Sequence, residues 1–266
     1  SWIRGWAVGT AAFDPGLRLT VHGVWNPASA RGSLRCAWEG ADLLRWQKAG
    51  WLPADRVRFL GGKAAGEAEL ALGPQVGLQK AAVRLIGARL APAAPGWPVL
   101  DVETRMVFSD RLLEIEAARV KAGRGELDLS GRLDLDAGDP LLTGEARFSR
   151  LDPSLFPGPL RGLEIKGTAS GRVLLGGTLS RPSFKGRVFF SGIPSHPALP
   201  EIKGLKIAAH FSGQTLIVDS LRAETEGGAL TGKGRFRLLP SPSLVLDLTA
   251  HAFQVEKVLS PLRFSR

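Results

Sequence analysis

Residues 126–136 read ELDLSGRLDLD. The odd positions are Leu127, Leu129, Gly131, Leu133 and Leu135; the even ones are Glu126, Asp128, Ser130, Arg132, Asp134 and Asp136. A strand points successive side chains to opposite faces, so this stretch predicts a strand with one apolar face and one wet face. The pattern recurs. Leu163, Ile165, Gly167, Ala169, Gly171, Val173 and Leu175 alternate with Glu164, Lys166, Thr168, Ser170 and Arg172. Phe184, Val188 and Phe190 share one phase, as do Leu205, Ile207 and Phe211. Leu230, Phe236 and Leu238 make a further run, and Leu244, Leu246 and Leu248 another. Earlier runs carry Leu17, Leu19 and Val21, then Leu34, Cys36 and Trp38, then Leu100, Val102, Met106 and Phe108. In all there are about fourteen such runs, joined by short Gly, Pro, Asp or Ser turns. Turns that short cannot make parallel crossovers, so the expected architecture is an antiparallel meander.

Two segments break the pattern. Residues 41–49 (ADLLRWQKA) and 254–259 (QVEKVL) predict short connector helices, stopped by Gly50 and by Pro261. Trp46 and Trp51, beside Leu43, Leu44 and Leu52, are placed to form a lip or cap on the apolar face.

The chain has 266 residues, 33 Gly, 18 Pro, one Cys and a net charge of +10, with 44% hydrophobic residues. That size allows a sizeable core, and the hydrophobic share argues against disorder. One Cys excludes a disulfide framework and a Cys-based zinc site. No apolar run is long enough for a membrane-spanning helix, and no signal peptide is expected. The first residue is Ser1 rather than Met, so a piece of a longer protein is expected.

An internal repeat organises the chain. Residues 108–153 slide over 211–256 at an offset of 103 without a gap, placing Phe108 on Phe211, Leu113 on Leu216, Arg119 on Arg222, Gly125 on Gly228 and Leu127 on Leu230. A weaker copy of the unit's end lies near the start, and the connectors end at Pro53, Pro157 and Pro261. The expected organisation is a partial β-repeat over 1–52 and two β-repeats over 53–157 and 158–266, forming one continuous groove. A half-apolar sheet needs cover for its apolar side. A sandwich, a closed barrel or a trough that holds something else would each supply it.

No catalytic constellation is apparent. His22, His196, His210 and His251 are dispersed, and three of them fall on polar phases. Cys36 lies on an apolar phase, where a buried inert thiol is expected. Glu114 with Glu116 and Asp134 with Asp136 share a strand face, where solvated charge is the expectation rather than acid–base chemistry. No nucleophile elbow, metalloprotease, P-loop or dinucleotide motif occurs. The chain is therefore expected not to be an enzyme and to need no cofactor or metal. Its basic residues spread along nearly all strands without aromatic interleaving, which argues against nucleic acid and suits solubility or proximity to anionic lipid. All seven Trp precede residue 98. Arg89 falls on the phase of Val83 and Leu85, so either that run is misphased or the side chain lies near a rim and snorkels.

The segment 171–192, GRVLLGGTLSRPSFKGRVFFSG, resembles a recurrent phrase of the AsmA-like superfamily: a strand, Gly-Thr-Leu, a step to Pro, and a strand with a central Gly. Gly177, Thr178, Leu179, Pro182 and Gly186 carry it, and a second phrase runs through 199–238. The resemblance covers most of 98–266 and, less clearly, 17–60. It implies a long, curved, open β-groove, apolar inside and polar outside. It also implies an inner-membrane anchor missing from this chain, a periplasmic location in a diderm bacterium, and transport of phospholipid between inner and outer membranes. The partners it implies are phospholipid acyl chains and an outer-membrane protein. The groove-lining residues would be Leu127, Leu129, Leu133, Leu135, Leu163, Ile165, Val173, Leu175, Phe184, Val188, Phe190, Leu205, Ile207, Phe211, Leu230, Phe236, Leu238, Leu244, Leu246 and Leu248. The alternative is an envelope scaffold or assembly factor that pairs strands with partner proteins.

Overall fold

The computed structural model describes residues 3–11, 14–50, 52, 55, 57–93, 98–136, 138–153, 164–195, 202–225, 228–238 and 243–251. These residues hold fifteen strands and one helix, so the chain is all-β. It divides into unit 1, residues 1–123 and 128–142, and unit 2, residues 124–127 and 143–266.

Unit 1 starts with β1 (Ile3–Ala11), β2 (Asp14–Asn26), β3 (Arg31–Asp42) and α1 (Leu43–Lys48). It continues with β4 (Val57–Leu72), β5 (Gly77–Pro92), β6 (Leu100–Ser109), β7 (Leu112–Ala122) and most of β8 (Gly125–Asp134). Unit 2 contains most of β9 (Leu141–Leu151), with β10 (Glu164–Gly177), β11 (Pro182–Ser195) and β12 (Ile202–Gly213). It ends with β13 (Thr215–Thr225), β14 (Gly228–Arg237) and β15 (Ser243–His251). Within each unit the strands pair antiparallel in chain order, the expected meander. Among the described residues β1 pairs only with β2 and β15 only with β14, so each end strand has a single neighbour.

Local chemistry sets the hairpins. Asp110 and Arg111, between β6 and β7, both take positive φ (47° and 62°), the conformation that matches the twist of a two-residue hairpin. Between β10 and β11 the Gly-Thr-Leu-Ser-Arg-Pro phrase closes on itself. Thr178 N donates to the Arg181 carbonyl at 3.3 Å, and Arg181 N donates to the Thr178 carbonyl at 3.2 Å. Gly177 takes φ +84°, and a Cβ there would meet the Arg181 carbonyl at 2.5 Å, so the phrase requires its glycine.

The sequence repeat is visible in the backbone. β7 and β13, and β8 and β14, have bounds that differ by the same 103 residues. So do the turn bonds Leu135 N to Arg111 O and Leu238 N to Gln214 O, each 2.9 Å. Both copies bulge at the equivalent place. Arg105 faces Ala117 while Met106 faces Ile115, leaving Glu116 extra. Ala208 faces Ser220 while Ala209 faces Val218, leaving Asp219 extra. The extra residue is an acid held by a neighbouring strand in both copies. Glu116 pairs with Arg105 at 3.0 Å and Asp219 with His210 Nδ1 at 2.9 Å.

A bulge also settles Arg89. The register shifts between Leu85 and Ala88, where Gly87 takes φ +55°. Ala88 then faces Val102 on the apolar side, while Arg89 turns to the polar side beside Asp101 at 3.4 Å. The one extra residue of the bulge inverts the phase that simple alternation assigns.

The connector helix is shorter than 41–49 because β3 runs through Asp42. The Asp42 side chain caps it by accepting from Arg45 N at 3.0 Å. Asp14, only 2% exposed, accepts from Asp42 N at 2.7 Å and ties the helix entry to β2. Gln47 clamps the start of β4: its Nε2 donates to the Val57 carbonyl at 2.7 Å, and its Oε1 accepts from Phe59 N at 2.8 Å. The clamp presses Leu43 into a cluster with Leu17, Ala41, Ala64, Ala88 and Val102, against which Trp46 and Leu52 pack. This is the cap expected from that segment. Trp51 and the helix predicted over 254–259 lie outside the described residues.

Candidate functional site

In unit 2 the strand register lines the apolar phases up into rows that run across the sheet. One row is Phe148, Gly171, Val188, Ala209, Val218, Gly234 and Leu246. The next is Ala146, Val173, Gly186, Phe211, Leu216, Phe236 and Leu244. A third is Leu151, Ala169, Phe190, Ile207, Leu221, Gly232 and Leu248. A fourth joins Gly167, Gly192, Leu205, Ala223, Leu230 and Ala250. No position in these four rows carries a charge or a hydrogen-bonding side chain.

Glycines shape this face as well as letting it bend. A Cβ on Gly171 would come within 2.9 Å of the Phe148 ring, and one on Gly234 within 2.6 Å of a Leu246 methyl. The large neighbour lies over the glycine backbone, so tall and short positions fill one another. The Phe184 and Phe211 rings, 5.6 Å apart and tilted by 47°, add an aromatic contact to the same side.

Among the described residues of unit 2 this face is sheltered only by its own neighbours. The fully buried positions are small or medium in size: Ala169, Val173, Ala209, Val218 and Ala223, with Leu151 the largest. Phe184, Val188, Phe190, Leu205, Ile207, Phe211, Leu230, Phe236 and Leu238 are half-buried, as is Leu175. Leu244, Leu246 and Leu248 on β15 are exposed. A face packed under a second layer would bury its largest side chains most completely. In unit 1, by contrast, α1 covers part of the corresponding side through Leu43 and Trp46.

Of the residues expected to line a groove, Leu127, Leu129, Leu133 and Leu135 are half-buried on and just beyond β8. Leu163 lies outside the described residues, and Ile165 is placed by its backbone, opposite Pro194. The rows bring together Phe211, Phe236 and Leu244, and separately Phe190, Ile207 and Leu248. The sequence marks a strand after Phe211, Ser212 and Gly213, but no groove-lining residue is expected on β13. Its contributors, Leu216, Val218, Leu221 and Ala223, change phase at the Asp219 bulge, so a strict period of two misses them. The available signal was the repeat itself, since Leu113, Ile115, Ala118 and Val120 make the same jump.

The candidate acids do not converge. Glu114 pairs with Arg132 at 3.0 Å, Glu116 with Arg105, and Asp136 with Arg111 at 3.1 Å. His22 and His251 are exposed, and His196 lies outside the described residues. The Arg172 guanidinium, hydrogen-bonded to Glu145, holds that carboxyl below the usual carboxylate range, and Arg147 adds to the effect. Glu67 is lowered in the same way by Arg35. These perturbations belong to exposed ion pairs on the polar side.

No family model, curated protein or solved structure matches the chain.

Proposed function

We propose that the apolar face binds lipid acyl chains, and that the chain is a segment of a conduit carrying phospholipid between the inner and outer membranes of a bacterial envelope. The observation that carries this reading is the set of uncharged rows in unit 2, half-exposed and without a covering layer among the described residues. Each methylene moved from water onto such a surface gains about 0.8 kcal/mol. A floor made of cross-filled Phe, Leu and Gly positions grips no single chain in a deep pocket, so a lipid can leave as well as enter. The periplasmic setting and the membrane-anchored parent protein rest on the AsmA-like phrases at Gly177, Thr178, Leu179, Pro182 and Gly186.

Photocrosslinking amino acids tested in cells separate the possibilities. Probes at Leu129, Val188, Phe211 and Leu246 should capture phospholipid, and probes at Arg132 and Lys206 should not. Capture at the polar positions instead, or at none, sinks the reading.

A second reading is strand pairing with a partner protein, favoured by β15. Every residue of that strand is exposed, including Leu244, Val245, Leu246 and Leu248, and among the described residues it pairs only with β14. In that case Pro at Val245 would abolish partner capture, while Phe211→Asp would leave it intact.

A further inference from the structure

The polar side of unit 2 does not copy the polar side of unit 1, although the backbone repeats. At equivalent register positions Glu67 is replaced by Arg172 and Ala82 by Arg187, and at the 103-residue offset Glu103 is replaced by Lys206 and Asp134 by Arg237. Partners are lost as well. In unit 1, Arg132 is held by Glu114 at 3.0 Å. Its counterpart Arg235 faces Ile217, which stands where that glutamate would be.

The register concentrates this charge. Arg147 faces Arg172, Arg172 faces Arg187, and Arg187 faces His210 on four successive strands. Like charges directly opposite one another destabilise a sheet, so such a row needs an anion. Glu145 supplies one for Arg147 and Arg172 only. Among the described residues Arg187, Lys185, Arg235 and Arg237 form no ion pair, and all four are exposed.

The same side also exposes apolar side chains between the cations. Leu174 (44% exposed) faces Lys185, Ile193 (50%) faces Lys166, and Val245 (54%) faces Arg235. Phe189 (52%) stands between Arg187 and Ser191 on β11. Cations attract an anionic headgroup layer at about 1 kcal/mol each, and exposed aliphatic groups enter the boundary between headgroups and acyl chains. A nucleic acid would call for stacking platforms, and Phe189 is the one exposed aromatic residue on this side among the described residues.

We propose that the basic side of unit 2 docks on a bilayer surface that contains anionic lipid. The docking uses the opposite side of the strands from the acyl-chain face and does not depend on that reading.

The test is vesicle flotation of the full chain, comparing phosphatidylcholine alone with phosphatidylcholine mixed with phosphatidylglycerol. Partitioning into the anionic vesicles should exceed that into neutral ones by at least about tenfold at low salt and fall as salt is raised. The double variant Arg187→Glu/Arg235→Glu should drop to the neutral-vesicle level, and Phe189→Ser should weaken binding a few-fold. A control double variant on the polar side of unit 1, Arg84→Glu/Arg132→Glu, should stay within about twofold of the parent. All five substitutions lie on exposed positions, and circular dichroism verifies that each variant keeps its strand signal. Equal partitioning into both vesicles overturns the proposal, as does an equal loss from the unit 1 and unit 2 variants. A single-stranded oligonucleotide that displaces the vesicles and binds Phe189→Ser as well as the parent also overturns it, in favour of a nucleic acid partner.

Discussion

Units 1 and 2 share strands, hairpin bonds and a bulge at a fixed offset, yet they present different surfaces. Unit 1 carries 17 Lys and Arg against 15 Asp and Glu, and unit 2 carries 18 against 10, so +8 of the +10 lies in unit 2. Unit 1 ties its polar side with cross-strand pairs such as Arg35–Glu67, Arg105–Glu116 and Arg119–Asp128. It also covers part of its apolar side with α1. Unit 2 does neither to the same degree among its described residues. The difference teaches that alternation and bulges specify the backbone, while the residues projecting from it decide what each copy can bind. Conserving the scaffold costs little specificity because a strand's two faces can be rewritten separately.

The largest expected effect probes the cover. Leu43 is 3% exposed in the unit 1 cluster, while Leu246 is 39% exposed on β15. Leu43→Ala should destabilise unit 1 by about 3 kcal/mol, the usual cost of a core cavity, and Leu246→Ala should cost under about 1 kcal/mol. All seven Trp lie before residue 98, so tryptophan fluorescence during urea unfolding reports on unit 1 alone. Amide hydrogen exchange on β11 to β14 reports on unit 2. Equal losses at the two leucines would break the contrast between a covered and an uncovered face.

A smaller change sharpens it. Thr104 sits on the apolar side of β6, opposite Leu85 and Ala118, and its hydroxyl is buried without a hydrogen-bond partner. The equivalent position in unit 2 is Ile207. An unsatisfied buried hydroxyl costs about 1–3 kcal/mol, so Thr104→Val should stabilise unit 1 by about 1 kcal/mol. A shift of the urea midpoint upward with an unchanged slope checks it.

How far the sequence carried depended on where the period of two held. Residues 126–136 gave a strand within two residues of β8, and the Gly-Thr-Leu phrase marked a real hairpin. The 103-residue offset even carried the bulge. The misreadings cluster at bulges. The shift around Gly87 takes Arg89 off the phase of Val83 and Leu85, and no β13 residue was assigned to the apolar face because Asp219 interrupts the alternation. Contacts that join distant segments were hidden altogether. Nothing near Asp14 in the chain shows that it will anchor Asp42, and nothing in QKAGWLP shows that Gln47 will substitute for a strand neighbour of β4. The uncovered state of the unit 2 face follows from register across seven strands, which local alternation does not encode.

The smallest effect concerns the one anion in the cationic row. Glu145 has its carboxyl lowered by two guanidiniums, Arg172 and then Arg147, whereas Glu67 in unit 1 is lowered chiefly by Arg35. A carboxyl lowered in the folded state stabilises it at pH values above the unfolded-state pKa, and that contribution is lost as pH falls through the folded value. Both residues should therefore add an acid-side loss of stability that is absent at neutral pH. Glu145→Gln should remove the loss from β9 and β10, and Glu67→Gln should remove it from β3 and β4. Both pairs are exposed, so the losses should be small and should fade at high salt. Hydrogen exchange followed from pH 6 down to about pH 3 resolves the two sites strand by strand. If Glu145 is the anion that makes the Arg147–Arg172–Arg187 row tolerable, its acid-side loss should spread to β11 through Arg187, while that of Glu67 should stay on the strands it joins. A loss confined to β9 and β10 would mean that Arg187 is stable without any anion beside it, and that the cations of unit 2 are simply solvated.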